Sequence, residues 1–282
     1  MIEVLYPGIY SSIQDLGRLG QQSLGVPIGG VMDQNAFHWA NRLLNNPKHS
    51  AVLEMSFKGP KLLFHQPTTI ALAGANMDAQ LNGLKIANFI PIEIKEKDLL
   101  EFGNANFGKR TYMAVKGGIQ THEILKSRSQ YKGITTYATL SKTKLIPFNM
   151  VKFLPPKGAR LSLKKTNSKE EVIVVYRGPD FDLLPEKAKK QLEKNKFSIS
   201  IKNSRMAYVL AEKVEHQIPY KWTAPVLPGT VQCTPDGTLI ILMRDAQTTG
   251  GYPRILQVSD EGLNILGQKS TNECFQFQLR AV

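Results

Sequence analysis

The sequence predicts a mainly β protein of two domains with a few short helices. Three observations carry that expectation. Short apolar runs of strand length recur with turn residues between them, helical patterns with recognisable ends are few, and 282 residues suffice for two hydrophobic cores. Strands at such regular spacing argue for barrels or sandwiches rather than a parallel sheet. The expected domains are residues 1–165 and 166–282.

Taken in order, a short strand ends at Ile13, and residues 33–45 form the clearest helix. Asp33 opens it, Ala36, Phe37, Ala40, Leu43 and Leu44 share one face, and Asn45-Asn46-Pro47 stops it. Strands are expected at 51–57 and 61–64 around Lys58-Gly59-Pro60, and over the buried-looking run 69–75. Asn82-Gly83 signals a tight hairpin, because both residues tolerate positive φ. Residues 98–102 and 111–115 are expected to form another hairpin around Gly103-Asn104-Ala105-Asn106-Phe107-Gly108. The lysine-rich stretch 141–167, with Pro147, Pro155 and Pro156, suits an inter-domain passage.

Beyond it, a strand at 171–176 ends in Arg177-Gly178-Pro179, an echo of Lys58-Gly59-Pro60. Pro185 opens a helix of mixed charge over 186–194 that reads as a solvated face. Short strands follow near 197–201 and 208–210, and Pro235-Asp236-Gly237 is a turn. The apolar run 238–243 reads as a strand buried on both faces that delivers Asp245 to its rim. Behind it, 244–254 combines charge, hydroxyls, an amide and the flexible pair Gly250-Gly251, the make-up of a binding loop. Asp15 and Gly20 repeat the spacing of Asp245 and Gly250, and Asp33 and Asp260 each precede a helical pattern, so a degenerate internal repeat is read.

Composition narrows the function classes. Hydrophobic residues make up 42% of the chain, no apolar run is long enough to span a bilayer, and the first residues lack a signal-peptide pattern. A soluble, intracellular, cytoplasmic protein is expected. Cys233 and Cys274 lie in apolar strand contexts and read as buried thiols. The formal charge of +13 comes from scattered lysines without a nucleic-acid motif, so no nucleic-acid or membrane partner is expected; attraction of an anionic substrate or an acidic partner subunit is the alternative use of the charge. Gly103–Lys109 has P-loop spacing, but Arg110 stands where a magnesium-binding hydroxyl belongs and strands lie on both sides, so a hairpin turn explains it. The five histidines show no close metal-ligand spacing, and no Gly-x-Ser-x-Gly elbow is present.

The remaining candidates are polar residues beside strand ends or glycines: Asp15 with Arg18, Glu54, Arg110, Ser127-Arg128-Ser129, and Asp245 with Gln247, Thr248, Thr249 and Tyr252. An arginine near glycine can present a planar fork to a carboxylate or phosphate, and a neighbouring aspartate can act as a base. Ion pairs that pin strand ends would use the same residues.

Several segments, in order, carry a resemblance: Gln14-Asp15-Leu16-Gly17-Arg18, Leu24-Gly25-Val26-Pro27, Gly30-Val31-Met32-Asp33, Leu53-Glu54, Gly59-Pro60, Lys116-Gly117-Gly118, Ser127-Arg128-Ser129, Pro228-Gly229-Thr230-Val231-Gln232 and Asp245-Ala246-Gln247-Thr248-Thr249-Gly250-Gly251-Tyr252-Pro253. Together they resemble the biotin-dependent carboxyltransferase family of allophanate hydrolase subunit 2, which includes the C subunit of ATP-dependent 5-oxoprolinase and an antagonist of a sporulation-kinase inhibitor. The resemblance implies cyclophilin-like β-barrels and work alongside a homologous small subunit, with a third subunit in the 5-oxoprolinase form. It implies a small-molecule amide substrate. In one form ATP, used by the complex, drives opening of the 5-oxoproline lactam to glutamate; in another, carboxyl is moved from carboxybiotin to urea. The chain has no Ala-Met-Lys-Met site, so biotin, if the reaction is of the urea type, arrives on another domain. A third possibility is a non-catalytic regulatory partner of the small subunit.

At the matching positions, Asp15, Arg18 and Asp245 are expected to be catalytic. Asp33, Glu54, Arg110, Ser127, Arg128, Gln232, Gln247, Thr248, Thr249, Gly250 and Tyr252 are expected to contact substrate, with no metal. There are departures. Lys126 stands where the family pattern has glycine before Ser-Arg-Ser, Val209 replaces a second arginine in the segment 205–209, and Thr223-Ala224 replaces a Ser-Glu pair.

Overall fold

The computed structural model describes residues 1–154, 171–219 and 222–281, and these divide into two compact units. The first comprises residues 1–17 and 33–166, the second residues 18–32 and 167–282. A single cut at 165/166 therefore leaves out one feature: segment 18–32 packs with the second unit.

In the first unit the elements are β1 (Ile2–Tyr6), β2 (Tyr10–Gln14), α1 (Gln34–Leu43), β3 (Val52–Ser56), β4 (Lys61–Phe64), β5 (Thr68–Asn76), β6 (Gln80–Leu81), β7 (Leu84–Lys85), β8 (Pro91–Ile94), β9 (Leu99–Glu101), β10 (Phe107–Val115) and β11 (Leu145–Ile146). They form two sheets, ordered β11-β1-β4-β9-β6-β7 and β2-β3-β10-β5-β8. Alternation along the second sheet sends Ile13, Leu53, Met55, Met113, Ile70 and Leu72 into the core shared with Ile2, Val4, Leu62 and Phe64 of the other sheet. Asn82 (φ 51°) and Gly83 (φ 81°) form the expected tight turn between β6 and β7. The hairpin expected across 98–115 is not formed. β9 pairs with β4 and β6, β10 with β3 and β5, so residues 103–106 cross between sheets. Part of the expected inter-domain passage is also structured, since β11 pairs with β1 through Ile2↔Ile146; its positions 155–167 lie outside the described residues.

The second unit holds β12 (Val172–Arg177), α2 (Glu186–Lys194), β13 (Lys196–Asn203), β14 (Ala207–Lys213), β15 (Ala224–Pro225), β16 (Thr230–Cys233), β17 (Thr238–Leu242), β18 (Thr249–Gly250), β19 (Arg254–Val258), α3 (Asp260–Gln268) and β20 (Cys274–Leu279). Seven strands close a barrel in the order β12-β19-β16-β17-β14-β13-β20, while β15 and β18 pair separately. All the pairings within the barrel are antiparallel except β12 with β20, which run parallel. Its core gathers Ile173, Phe197, Ile199, Tyr208, Val231, Ile241, Leu256, Phe275 and Phe277.

The helix α1 is capped by Asp33, whose Oδ1 accepts from Ala36 N–H at 3.0 Å. For α3 the cap is Ser259, which accepts from Gly262 N–H, and Asp260 is the first helical residue rather than the cap. Pro185 likewise stands one position before α2, which buries only Ala188 and Leu192 and leaves its charged face in solvent. The two Gly-Pro pairs do share a physical cause. A Cβ on Gly59 would lie 2.5 Å from Phe102 Cβ, and one on Gly178 would lie 2.3 Å from Arg254 O. Cys233 is buried, but Cys274 is exposed, because it starts β20 at the barrel rim.

Candidate functional site

In the first unit, β2 delivers Asp15 to its end. The carboxylate accepts four hydrogen bonds: at Oδ1 from Ser127 Oγ (2.6 Å), Ser129 Oγ (2.6 Å) and Gly17 N–H (2.8 Å), and at Oδ2 from Arg128 N–H (2.6 Å). Ser129 Oγ in turn accepts from Asp15 N–H at 2.9 Å. Gln130 extends the seam: its N–H donates to Ile13 O and its Oε1 accepts from Ile13 N–H. Asp15 thus fastens loop 127–130 along the end of β2. The Arg128 guanidinium is held by other partners: Nη1 donates to Thr121 O and Nη2 lies 3.5 Å from Glu123 Oε2. A cavity of about 420 Å³ opens beside it, lined by Asp15, His49, Gln120, Glu123, Lys126 and Arg128 among others.

Ahead of that loop the chain makes a tight turn, with Ile124 N–H donating to Ser127 O (2.9 Å) and Ser127 N–H to Ile124 O (3.2 Å). Its central residues, Leu125 (φ 52°) and Lys126 (φ 63°), both occupy the left-handed region. That conformation favours glycine or asparagine and is strained for these side chains. The glycine-to-Lys126 departure therefore puts a cation at the cavity on a backbone that glycine would occupy without strain.

A second polar cluster in this unit lies on the sheet face opposite the core. Register aligns Ser12, Glu54 and Tyr112 across β2, β3 and β10. Arg110 Nε stands 3.8 Å from Glu54 Oε1, both side chains almost fully buried. The Tyr112 hydroxyl accepts from Asp33 N–H at 2.8 Å. Burial first, then the charges of Glu54 and Asp33, push the Tyr112 phenol well above its usual range, against the opposing effect of Arg110. The hydroxyl stays protonated at neutral pH. Asp33, Glu54 and Arg110 are thus brought together, with Asp33 spending its carboxylate on the helix cap.

In the second unit, the rim after β17 carries Asp245. Arg205 holds it with two hydrogen bonds, Nε to Oδ2 at 2.9 Å and Nη2 to Oδ1 at 3.0 Å. Asp245 N–H also donates to Arg205 O. Arg205 further donates to Gly30 O, and Gly29 N–H donates to Arg244 O, so segment 18–32 is tied to this rim. Arg18, in that segment, is 1% exposed, and its N–H donates to Ile28 O. Asp15 falls in the first unit and Arg18 in the second.

Gln232, on β16, lies under the glycine-rich loop. Its Nε2 is 3.4 Å from Tyr252 O, and a Cβ on Gly250 would come within 2.5 Å of that same nitrogen, so any larger residue there would make the Gln232 amide shift. Thr249-Gly250 pairs with Ala224-Pro225, Thr248 O accepts from Val226 N–H, and Arg254 Nη1 donates to Pro225 O. Asp180 holds the far end by accepting from Arg254 N–H at 2.8 Å. On this fastened loop Tyr252 is 41% exposed, and Gln247 Oε1 is buried with no hydrogen-bond partner among the described residues.

Sequence reasoning missed Arg205 as the partner of Asp245, Ser129 as a ligand of Asp15, and Lys126 as a cavity residue. Arg205 had one available signal, its place in a short turn between two strands. Among the described residues no group of three His, Cys, Asp or Glu side chains is placed to hold a metal ion. No described helix is long and apolar enough to cross a membrane.

A mainly β chain with a closed seven-stranded barrel falls in a defined class. The chain belongs to the carboxyltransferase domain family, subdomains A and B, whose family model matches residues 24–279. Among individual relatives, the 5-oxoprolinase C subunit of Haemophilus influenzae is 28% identical over 99% of this chain and 91% of its own length. Urea amidolyase of Lachancea kluyveri is 40% identical over 130 residues, 46% of this chain and 7% of that protein. The crystal structure of Kluyveromyces lactis urea amidolyase superposes with a TM-score of 0.87 at 29% identity, covering 98% of this chain and 18% of that one. The chain thus spans a small part of the urea amidolyases and most of the 5-oxoprolinase relative.

Proposed function

We propose that this chain is a component of an ATP-dependent 5-oxoprolinase, working with a homologous small subunit and a third subunit in the cytoplasm. The observation that carries the reading is collinearity: two relatives named as the C subunit of 5-oxoprolinase align with 99% and 95% of this chain and with 91% and 87% of their own lengths. The substrate would be a cyclic amide whose ring must open.

The fixed groups suit an amide. In the second unit, Gln247 Oε1 offers a buried acceptor for an amide N–H, and the loop that carries it is held at both ends. Gln232, Thr248, Thr249, Gly250 and Tyr252 shape its surroundings, and an amide or hydroxyl donor there would stabilise the oxyanion that develops as the carbonyl is attacked. Asp245 is a positioning residue through Arg205. In the first unit, Asp15 positions Ser127 and Arg128, and the Arg128 fork would orient a carboxylate or carbonyl. Arg18, Asp33, Glu54 and Arg110 support these frames from buried positions. ATP is assigned to the complex as a whole; residues 103–106 cross between two sheets and residues 107–109 open β10, so 103–109 do not make a strand-to-helix phosphate cradle.

Carboxyltransferase action of the urea type is the second reading, favoured by the 40% identity to urea amidolyase over 130 residues. Biotin would then be carried on another domain. Co-purified subunits assayed for ATP hydrolysis with 5-oxoproline, urea or neither separate the two. Stimulation by 5-oxoproline with glutamate release supports the first reading. Stimulation by urea alone rejects it.

A further inference from the structure

The outward face of α1 carries a groove that the proposed reaction does not use. Asn35, His38, Trp39 and Arg42 recur at i, i+3, i+4 and i+7, which places them on one helical face. The following loop adds Asn45, Asn46 and Lys48, enclosing about 570 Å³, within the usual range for a small-molecule site. Every lining residue is neutral or basic, and none is acidic. Arg42 lies over the Trp39 ring, its guanidinium carbon 5.8 Å from the centroid, and among the described residues neither Arg42 nor Lys48 has a carboxylate partner. The helix C-terminus would ordinarily repel an anion here, but Asn41 O accepts from Leu44 N–H and Asn46 N–H, Arg42 O accepts from Asn45 N–H, and just past the helix Lys116 Nζ donates to Leu44 O (2.9 Å) and Asn45 O (3.2 Å).

The positive field is felt by the groove's own imidazole. Burial lowers the His38 pKa, and the charges of Arg42 and Lys48 lower it further. His38 is also fixed in place, its ring packed against buried Phe37 with centroids 5.1 Å apart.

From this arrangement we infer that the α1 groove binds a phosphate monoester, its oxyanion among Arg42, Lys48 and His38 and its organic part against the Trp39 indole. A dianion matches two unpaired cations and an imidazole that gains a proton once a negative charge arrives. The amides of Asn35 and Asn45 offer further hydrogen bonds to a polar ring or ester.

The test uses AMP, inorganic phosphate and adenosine as probes at constant ionic strength on the whole chain. Affinity is measured by calorimetry and the His38 ring by NMR across pH. AMP and phosphate should both shift the His38 resonance and raise its titration midpoint, while adenosine should not. AMP should bind more tightly than phosphate, and Trp39→Ala should remove that advantage. Arg42→Gln with Lys48→Gln, both on exposed side chains, should weaken AMP binding at least about tenfold. A His38 resonance unmoved by AMP and phosphate, binding of adenosine equal to that of AMP, or undiminished AMP binding by the double variant would each overturn the assignment. None of these outcomes depends on the lactam-opening reaction.

Discussion

Arg205 grips Asp245 in a two-pronged ion pair, Nε to Oδ2 and Nη2 to Oδ1 at 2.9 and 3.0 Å, with side chains only 7% and 14% exposed. The same guanidinium reaches Gly30 O, so one side chain joins the Asp245 rim to segment 18–32. Removing it strips the nearly buried Asp245 carboxylate of both these charge-assisted bonds, which costs about 3 kcal/mol. Arg205→Ala should lower stability by that order in denaturant titration and abolish turnover by the assembled complex. Arg205→Lys should rescue little of either, because an ammonium cannot make the paired contact.

Asp15 is held differently, by two hydroxyls and two backbone N–H groups. Asp15→Ala should loosen loop 127–130, seen as faster amide exchange at Arg128 and Ser129, with a stability loss of about 2 kcal/mol. Exchange rates equal to wild type would show that the carboxylate does not order the loop.

The strained turn gives a prediction of opposite sign. Lys126 has φ 63° and Leu125 φ 52°. Lys126→Gly should raise stability by about 1 kcal/mol, read as an increase in Tm, since glycine adopts this conformation without the side-chain penalty. A fall in Tm would mean that contacts of the lysine outweigh the strain.

Tyr112 makes the fold sensitive to alkali. Its phenol has a folded-state pKa well above 10, so the unfolded chain loses this proton first as pH rises. Stability from this group is therefore intact below about pH 10 and falls above it. Tyr112→Phe should flatten that loss in unfolding measurements between about pH 9 and 11.5, while costing about 1 kcal/mol at neutral pH for the lost acceptor of Asp33 N–H.

The thiols should separate cleanly. Burial, with a smaller push from the charge of Asp236, raises Cys233 to about 12, whereas Cys274 is exposed. A disulfide reagent at pH 8 should modify one thiol per native chain, Cys274, and two after unfolding.

What the sequence made legible was local. Asp33 announces α1, Asn82-Gly83 a tight turn and Pro235-Asp236-Gly237 another, because the signal and the structure occupy the same few residues. The polar, glycine-rich character of segment 244–254 was visible for the same reason, its glycines and polar residues being contiguous. The errors concern distance. Strands β9 and β10 look like a hairpin in sequence, yet their partners lie elsewhere and they end in different sheets. Nothing local says that residues 18–32 pack with residues 167–282, or that Asp245 is met by an arginine forty positions earlier. Ser127 and Ser129 were visible as a motif, but their contact with Asp15 spans 112 and 114 positions. Resemblance supplied the grouping that spacing could not.

Whether this chain serves lactam opening is tested most directly by ATP hydrolysis in the chain assembled with its small and third subunits. Hydrolysis should depend on 5-oxoproline, yield glutamate, and disappear with Arg205→Ala although the complex still forms. An assembled complex that hydrolyses ATP at the same rate with and without 5-oxoproline, and releases no glutamate, would contradict that role.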